Sequence, residues 1–590
     1  MRANESLNKS VIARRLRRSN LVVRYKPRVS GRAQIASSLA DSLLAMTRYG
    51  AVLLLVAVLL ALPAFALERE QKLSIPMADG KTLPTDVYLP REGEGPWPTI
   101  LVRSTYGRDF PVDGFIAADW VRTNYAFVVQ DVRGTRFSTT DIDMFYADGW
   151  RDDLHDGKDT VDWITAQPWS NGKVGITGES GLGMPAHLIG PATPKVTAQL
   201  IIKSPPSFYH HAVYHGGVLR EDLVVRWLSV MGREDMVEKY ANTPLYTDFW
   251  KPYDTITQVS KEPAAGFFIG SWYDVFQQGI IDAFTAREYT PDSASRGKNF
   301  LLMEPATHNR FLGKDYTFRN ARGPKNSDIR RRFFDWQLRG DVQAFEGVPK
   351  VQYFVLGADT PADAPGNVWR SADKWPPYDA REAAFLLGPD NSLHEGAPVA
   401  PAATLGFTMD PADPYPTWGG PGLSYNVPYG PYDQRKYSDT RKDYLAFATA
   451  PLEKPLEVVG RVKVRLYVAT DAPDTDFTAK LVDIYPDGRV INIIDGIQRL
   501  KYRGTTDHVV PYTPGEVVPV EIDLWSTSII FAAGHRVGVH IAGNNAPRFA
   551  VNPNTGAERI EKGKPTALAH DTVHMSEQYP SALILPVPKE

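Results

Sequence analysis

Ser180 lies in the stretch of this chain whose residue types and spacing best fit nucleophilic chemistry. An apolar segment, Lys173–Thr177, runs into glycines, with Ser180 at the turn and a helix-compatible segment beyond it. A serine on a sharp turn between a strand and a helix exposes its hydroxyl, and glycines at 178 and 183 let the backbone approach closely. The pattern is Gly-x-Ser-x-x-Gly and not the stricter Gly-x-Ser-x-Gly, because residue 182 is leucine. It predicts a nucleophilic serine, with an ordinary serine turn left as the alternative.

Asp274 and His308 follow Ser180 in the order that a serine nucleophile requires. Asp274 comes just after the apolar run Ala265–Gly270, and His308 just after Asn299–Met303. A hydroxyl nucleophile needs a base that takes its proton and a carboxylate that orients that base, and the order Ser, Asp, His is that of α/β-hydrolases. We therefore predict Ser180 as nucleophile, Asp274 as acid and His308 as base.

His308 is one of twelve histidines, and its position in the chain favours it as the base. Other histidines precede the serine, lie in the helix after it, as His187 does, or fall in a β-rich region. His210, His211 and His215 remain rivals, and the spacing of the last two leaves a fragment of a metal site open. No glutamate follows them in the manner of the zinc motif, so we predict no metal and no cofactor.

The negative charge of a tetrahedral intermediate needs hydrogen-bond donors. The backbone N–H of Gly181, directly after Ser180, is the first predicted donor. A second is expected from the loop after the apolar run Thr99–Arg103, which contains Tyr106. An aromatic residue that only seals the loop would explain Tyr106 equally well, so the residues alone do not select it.

Six short apolar runs predict a buried parallel sheet. They alternate with helix-like stretches, of which 156–167 is the clearest, and this alternation is typical of a doubly wound α/β fold. A hairpin at 73–89 precedes them, and a polar, aromatic-rich helical segment at 206–257 interrupts them as a cap. The predicted strands cover 99–103, 126–132, 173–177, 197–202, 265–270 and 299–303.

After Trp375 the chain changes to glycine- and proline-rich turns between short alternating strands. This pattern predicts a β-sandwich in the form of a jelly roll. The predicted division is a leader at 1–66, an α/β core at 67–205 and 258–365, the helical cap at 206–257, and the jelly roll at 366–590.

Composition excludes several classes of protein. The 590 residues include 66 basic and 68 acidic side chains, 43% hydrophobic residues and no cysteine. This is ordinary globular composition, which excludes a disordered chain and a protein that coats nucleic acid. The lack of cysteine excludes a thiol nucleophile and a thiolate metal site. We predict a small-molecule ester or amide as the partner, and leave a homo-oligomer open.

The first 66 residues have the arrangement of a secretory signal peptide. Residues 1–50 hold eleven basic and two acidic side chains, and the uncharged run Ala51–Ala66 follows, broken by Pro63. A spanning helix needs about 20 apolar residues, so we favour cleavage over a retained membrane anchor and predict a periplasmic or secreted protein. A signal peptide of about 15–30 residues fits Met46–Ala66 alone, which leaves Met46 open as the true start.

Eight segments together match one known family: 101–108 (LVRSTYGR), 130–138, 156–180, 214–217, 270–274 (GSWYD), 304–308 (EPATH), 369–377 and 547–556. Through them the chain resembles the cocaine esterase and X-Pro dipeptidyl-peptidase family of serine hydrolases over nearly all of residues 70–590. The resemblance implies an α/β-hydrolase core, a helical cap between nucleophile and acid, and a C-terminal jelly roll. It also implies Ser180, Asp274 and His308 as the triad, and the Tyr106 hydroxyl beside the Gly181 N–H in the oxyanion hole.

Departures from the family bear on the substrate. The family usually has tyrosine directly after the nucleophile, where this chain has Gly181. Its α-amino acid ester hydrolases carry an acidic residue at the position of Gly183, and its X-Pro dipeptidyl-peptidases add N-terminal material that is not evident at 67–99. The cap also looks short for the family. We therefore expect an enzyme that prefers esters.

Two other functions stay open at this stage. A peptidase or acylase acting on amides would use acidic residues of the cap to bind a substrate amine, and the candidates are Glu221, Asp222, Glu234 and Asp235. A non-catalytic protein that binds glycan through its jelly roll would be indifferent to Ser180→Ala.

Overall fold

The structure, a computed structural model, describes residues 69–108, 119–135, 155–309, 313–323, 326–396, 402–424 and 426–589. The predicted leader at 1–66 lies outside the described residues, together with its signal peptide, its alternative start at Met46 and its alternative membrane anchor. Within the described ranges no helix is both long enough and apolar enough to cross a membrane.

A mixed sheet carries the candidate site. Its strands are β1 (Arg69–Pro76), β2 (Thr82–Tyr88), β3 (Trp97–Ser104), β4 (Ala126–Asp131), β5 (Ser170–Glu179), β6 (Val196–Ile202), β7 (Ala265–Tyr273), β8 (Asn299–Thr307), β9 (Val351–Gly357) and β10 (Val368–Ala372). They lie in the order β1-β2-β4-β3-β5-β6-β7-β8-β9-β10. The strands from β4 to β9 in this order are parallel, and β1, β2 and β10 are antiparallel to their neighbours. The predicted hairpin and all six predicted parallel strands are present.

Helices cover both faces of this sheet. The helices of the described residues are α1 (Asp156–Thr165), α2 (Gly183–Ile189), α3 (Glu221–Met231), α4 (Asp235–Ala241), α5 (Gln277–Tyr289), α6 (Asn326–Arg339) and the short α7 (Arg435–Ser438). Of these, α3 and α4 belong to the cap described below, and α7 lies in the C-terminal region. Val161 of α1 packs in one buried cluster with Leu101, and Phe333 of α6 packs in another with Ile100. Successive residues of a strand point to opposite faces, so the neighbours Ile100 and Leu101 show that α1 and α6 lie on opposite sides. The predicted doubly wound α/β fold is confirmed.

The cap is inserted between β6 and β7, and therefore between Ser180 and Asp274 in the chain. It contains a π-helical turn at Phe208–Val213, a two-residue hairpin, and the helices α3 and α4. Phe208 and Leu228 bury their side chains in one cluster with Met184 of α2. The cap is thus packed directly on the helix that follows Ser180.

The C-terminal region is a β-sandwich, as predicted. Its strands are β11 (Ala380–Leu387), β12 (Leu393–Glu395), β13 (Ala403–Met409), β14 (Tyr444–Ala448), β15 (Leu456–Thr470), β16 (Asp476–Ile484), β17 (Val490–Arg499), β18 (Val518–Phe531), β19 (Arg536–Ala542), β20 (Ala569–Met575) and β21 (Ala582–Pro588). One antiparallel sheet has β15 at its centre, with β18 on one side and β20 and β21 on the other. The second has the order β14-β19-β16-β17.

Strand β9 joins the core sheet to the sandwich. It pairs with β8 and with β10, and its residues Leu356 and Gly357 pair in parallel with Ile529 and Ile530 of β18. Strand β10 follows the predicted boundary at 366 and pairs with the core strand β9. Strand β8, which ends just before His308, is therefore connected through β9 to strand β18 of the sandwich.

Candidate active site

Ser180 sits on a strained turn between strand β5 and helix α2. Its φ of +58° lies in the left-handed region, which a residue other than glycine adopts at a cost. A Cβ at Gly178 would overlap the Leu182 carbonyl, and a Cβ at Gly183 would lie 2.5 Å from the Cβ of Ser204. The two glycines therefore permit a sharp turn that presents the serine at the carboxyl end of the sheet, as the sequence predicts.

The structure brings the three predicted side chains into one hydrogen-bonded chain. His308 Nε2 lies 2.9 Å from Ser180 Oγ, and His308 Nδ1 lies 2.5 Å from Asp274 Oδ2. Asp274 is fully buried, and its Oδ1 accepts a hydrogen bond of 2.7 Å from the Phe276 backbone N–H. With both carboxylate oxygens engaged, the orientation of Asp274 is fixed, and it fixes the imidazole in turn.

Tyr106 and Gly181 lie beside the Ser180 hydroxyl. Burial raises the pKa of the Tyr106 hydroxyl. Neighbouring Trp227 and Ser180 side chains and the Gly181 backbone N–H act in the opposite direction. A tyrosine that keeps its proton and a backbone N–H thus meet next to the nucleophile, where an oxyanion would need donors.

Lys203 and Ser204 were not singled out from the sequence, and both contact this arrangement. Ser204 Oγ donates to the Ser180 carbonyl at 2.8 Å, and Lys203 Nζ donates to the carbonyls of Thr307 and His308, each at 3.2 Å. Both residues directly follow β6, at the edge of the sheet where ligands and reacting groups gather. That position is the signal by which sequence analysis would find them.

Ser180 and His308 open onto a cleft of about 1010 Å³. Its lining near the serine is largely apolar and includes Met184, Leu223, Val224, Trp227 and Phe276. None of the four acidic cap residues proposed for amine binding lines this cleft among the described residues. Asp235 pairs instead with Arg233, and Glu234 accepts a hydrogen bond from Ser229. Three other carboxylates, Asp119, Glu179 and Asp328, border the cleft.

The rival histidines have other partners. His211 Nε2 lies 3.0 Å from Asp282, and His215 Nε2 lies 2.9 Å from the Asp523 carbonyl. Burial lowers the pKa of His215 to about 4, so it is neutral at ordinary pH. In the part of the chain that the structure describes, no group of three or more His, Asp or Glu side chains is arranged to hold a metal ion.

The parallel sheet, the cap insertion and the serine turn define an α/β-hydrolase fold joined to a β-sandwich. Two solved structures share this fold over 88% of the chain. One is an aminopeptidase from the marine sediment archaeon Thaumarchaeota archaeon, with a TM-score of 0.73 and 22% identity over 96% of that chain. The other is an α-amino acid ester hydrolase, with a TM-score of 0.71 and 23% identity over 96% of that chain.

The chain belongs to the cocaine esterase and X-Pro dipeptidyl-peptidase family of serine hydrolases. It is 30% identical to the cocaine esterase of Rhodococcus sp. (strain MB1 Bresler), in an alignment that covers 87% of this chain and 98% of that protein. The sequence profile of the X-Pro dipeptidyl-peptidase (S15 family) matches residues 79–239. That of the X-Pro dipeptidyl-peptidase C-terminal non-catalytic domain matches residues 343–584. The predicted family is confirmed.

Proposed function

We propose that this protein cleaves carboxylic esters through an acyl-enzyme, with Ser180 as nucleophile, His308 as base and Asp274 as the acid that orients it. The observation that carries the proposal is the continuous hydrogen-bonded chain from Asp274 Oδ2 through His308 to Ser180 Oγ. Because the chain belongs to a hydrolase family, we favour an enzyme over the alternative of a non-catalytic protein that binds glycan.

In the first half-reaction Ser180 Oγ attacks the carbonyl carbon of the ester. The Asp274 carboxylate accepts the hydrogen bond from His308 Nδ1, so Nε2 carries a lone pair that takes the Ser180 proton. The C=O π electrons move to the oxygen as the new C–O bond forms. When the intermediate collapses, the alkoxide leaves with the proton that His308 returns, and the acyl group stays on Ser180.

In the second half-reaction a water molecule takes the place of the alcohol. His308 accepts a proton from the water, the hydroxide adds to the acyl carbon, and collapse releases the carboxylic acid while Ser180 regains its proton. Both tetrahedral intermediates place negative charge on the same oxygen. The Gly181 N–H and the Tyr106 hydroxyl are the proposed donors to it, and burial supports this role because it keeps the tyrosine protonated.

Ester hydrolysis is favoured over amide hydrolysis by the cleft. An aminopeptidase or acylase selects a substrate amine through carboxylates, and the cap candidates Glu221 and Asp222 do not reach the cleft. The relative with 30% identity is a cocaine esterase. The amide alternative is supported by the matches of residues 79–239 and 343–584 to the two X-Pro dipeptidyl-peptidase profiles, and Glu179 at the cleft is the carboxylate it would use.

Release of chromophore from a short-chain aryl ester and from a dipeptidyl-proline anilide tests the proposal. We expect turnover of the ester and loss of activity by several orders of magnitude in Ser180→Ala. Ser229→Ala is the matched control, because this exposed cap serine donates its hydroxyl to Glu234 and is not part of the cleft lining. Turnover of the anilide alone would establish the amide alternative, and an active Ser180→Ala would refute the serine mechanism.

We also propose export to the periplasm or medium, supported by the basic stretch and the apolar run Ala51–Ala66. Fractionation of producing cells, followed by N-terminal sequencing, is the test. Recovery outside the cytoplasm with a new N-terminus near residue 67 is expected. Recovery with the membranes and an intact leader would establish the anchor instead.

A further inference from the structure

A two-residue segment, Lys203-Ser204, touches both halves of the proposed catalytic machinery. Ser204 Oγ holds the carbonyl of Ser180 at 2.8 Å. Lys203 Nζ holds the carbonyls of Thr307 and His308 at 3.2 Å each. Ser204 therefore forms a hydrogen bond to the turn that carries the nucleophile, and Lys203 forms hydrogen bonds to the end of the strand that carries the base.

The topology explains why this segment can reach both elements. It follows β6, which pairs with β5, the strand before Ser180, and with β7. The Lys203 N–H continues the pairing with β7 through the Ile269 carbonyl at 2.8 Å. Since β7 in turn lies beside β8, the long lysine side chain spans one strand to reach the backbone at His308.

Lys203 occupies this place under conditions that are unfavourable for a lysine. Lys203 is 9% exposed, and no carboxylate among the described residues forms an ion pair with it. Its φ of +43° is in the left-handed region, where residues other than glycine store strain that clusters at functional sites. A buried ammonium without an ion pair and a strained backbone together point to a function beyond packing.

Ser204 packs closely against Gly183. A Cβ at Gly183 would lie 2.5 Å from Ser204 Cβ and 2.7 Å from its hydroxyl. The glycine in the serine motif is thus required for Ser204 to reach the Ser180 carbonyl. His187 Nε2, 3.4 Å from the Ser204 carbonyl, supports the segment from the side of helix α2.

We infer that Lys203 and Ser204 are positioning residues that set the distance between Ser180 Oγ and His308 Nε2. The inference rests on the proposed function, since it assigns a role relative to that serine and that histidine. Neither side chain is placed at the substrate. Their effect is on the rate of proton transfer from Ser180, which depends steeply on the geometry of the two atoms.

The test uses Lys203→Met, which keeps an unbranched side chain that is one atom shorter and removes its donors. We expect kcat on the aryl ester to fall about 10- to 100-fold with KM nearly unchanged. The second-order rate of Ser180 modification by a small fluorophosphonate should fall by the same factor, because that reaction uses the serine and histidine but little of the cleft. Lys203→Arg, which restores a cation with donors, should recover most of the loss.

Stability separates this role from a purely structural one. A buried charge without an ion pair carries a desolvation cost that an apolar side chain does not, so Lys203→Met should keep or raise the thermal midpoint while losing kcat. Lys173→Met, at an exposed lysine near the start of β5, is the matched control and should match the wild type. Ser204→Ala should lower kcat about 10-fold, and the double variant should lose less than the product of the single losses.

Outcomes distinguish the inference from the proposed function. If Ser180→Ala is inactive and Lys203→Met has wild-type kcat and wild-type fluorophosphonate reactivity, the positioning role is wrong and the mechanism stands. If Lys203→Arg is as slow as Lys203→Met, the role of the cationic donor is refuted. If Ser180→Ala keeps full activity, the proposed function itself falls.

Discussion

Tyr106 occupies the space into which a side chain at residue 181 would project. A Cβ built on Gly181 overlaps the Tyr106 hydroxyl, and its next contacts are ring carbons of the same tyrosine, at 2.9 and 3.1 Å. The family usually has a tyrosine at the position of Gly181. In this chain the Tyr106 side chain fills the space beside the Gly181 backbone that a side chain at residue 181 would need.

Gly181→Ala should therefore disable the oxyanion hole without unfolding the protein. The methyl group meets the far end of the Tyr106 side chain, which can move aside, so the fold survives and the donor is displaced. We expect kcat on an aryl ester to fall about 10²–10³-fold, the usual cost of one oxyanion donor. Steady-state kinetics with a thermal melt check both parts.

Tyr106→Phe supplies the comparison for that prediction. It should lose kcat to a similar extent, and the double variant should be no slower than Tyr106→Phe alone, because both changes remove the same donor. Fully multiplicative losses would show that Gly181→Ala acts by another route.

Trp227 links the cap to the oxyanion donor. Its side chain lines the cleft and interacts with Tyr106, and this interaction acts to lower the pKa of the tyrosine. Trp227→Phe keeps an aromatic wall and removes the N–H, so Tyr106 becomes a weaker donor. We expect kcat to fall several-fold, toward about 10-fold at most for one neutral hydrogen bond, with little change in KM.

Leu223→Ala is the control for Trp227→Phe, since Leu223 lines the same cleft on the same helix without a polar group. It should change KM for bulky acyl groups more than kcat. If Trp227→Phe changed KM and kcat in the same way as Leu223→Ala, Trp227 would contribute only to the shape of the cleft.

Strands were predicted best from the sequence where every residue of the strand is buried. Residues 126–131 are all buried in β4, and such a strand reads as an apolar run whatever its neighbours are. The same rule placed Asp274 and His308 at strand ends, where parallel strands of one sheet bring their carboxyl ends together. Their meeting with Ser180 followed from topology, and their catalytic roles remain predictions.

Other features depend on contacts between distant segments. Strand β9 has the apolar composition of the predicted strands, but its pairing with both β8 and β18 joins residues that are far apart in the chain. Tyr106 was selected only by resemblance, since nothing local shows that its hydroxyl reaches residue 181. Lys203 was passed over because lysine is ordinarily exposed, and its burial depends on carbonyls at the end of β8.

Asp274 should matter far more than another aspartate paired with a histidine. Asp274→Asn preserves the shape of the side chain and removes the charge that orients His308, so kcat should fall on the order of 10⁴-fold. Asp282→Asn is the matched control, because Asp282 lies 3.0 Å from His211, a histidine that is not part of the cleft lining. Equal losses in the two variants would contradict the assigned role, and circular dichroism verifies that both fold.

His540 should make the folded state less stable in mild acid. It is buried in β19 beside Tyr444, and burial lowers its pKa to about 3, against about 6.5 in an unfolded chain. Between about pH 6.5 and about pH 3, His540 is protonated in the unfolded state and neutral in the folded state. The stabilisation is therefore complete above pH 6.5 and is lost as the pH falls through that window. At pH 5 the loss is about 2 kcal/mol.

His540→Gln isolates this contribution from opposing ones. Burial raises the pKa of Asp571 to about 7, and a raised carboxyl pKa stabilises the folded state as the pH falls from 7 toward 4. The dependence of the wild-type free energy of unfolding on pH therefore combines opposite contributions from His540 and Asp571. The variant differs only in the histidine. Between pH 7.5 and pH 5 its free energy of unfolding should change by about 2 kcal/mol less than that of the wild type. Urea denaturation at the two pH values measures this difference, and parallel curves for the two proteins would show that His540 does not titrate with a lowered pKa.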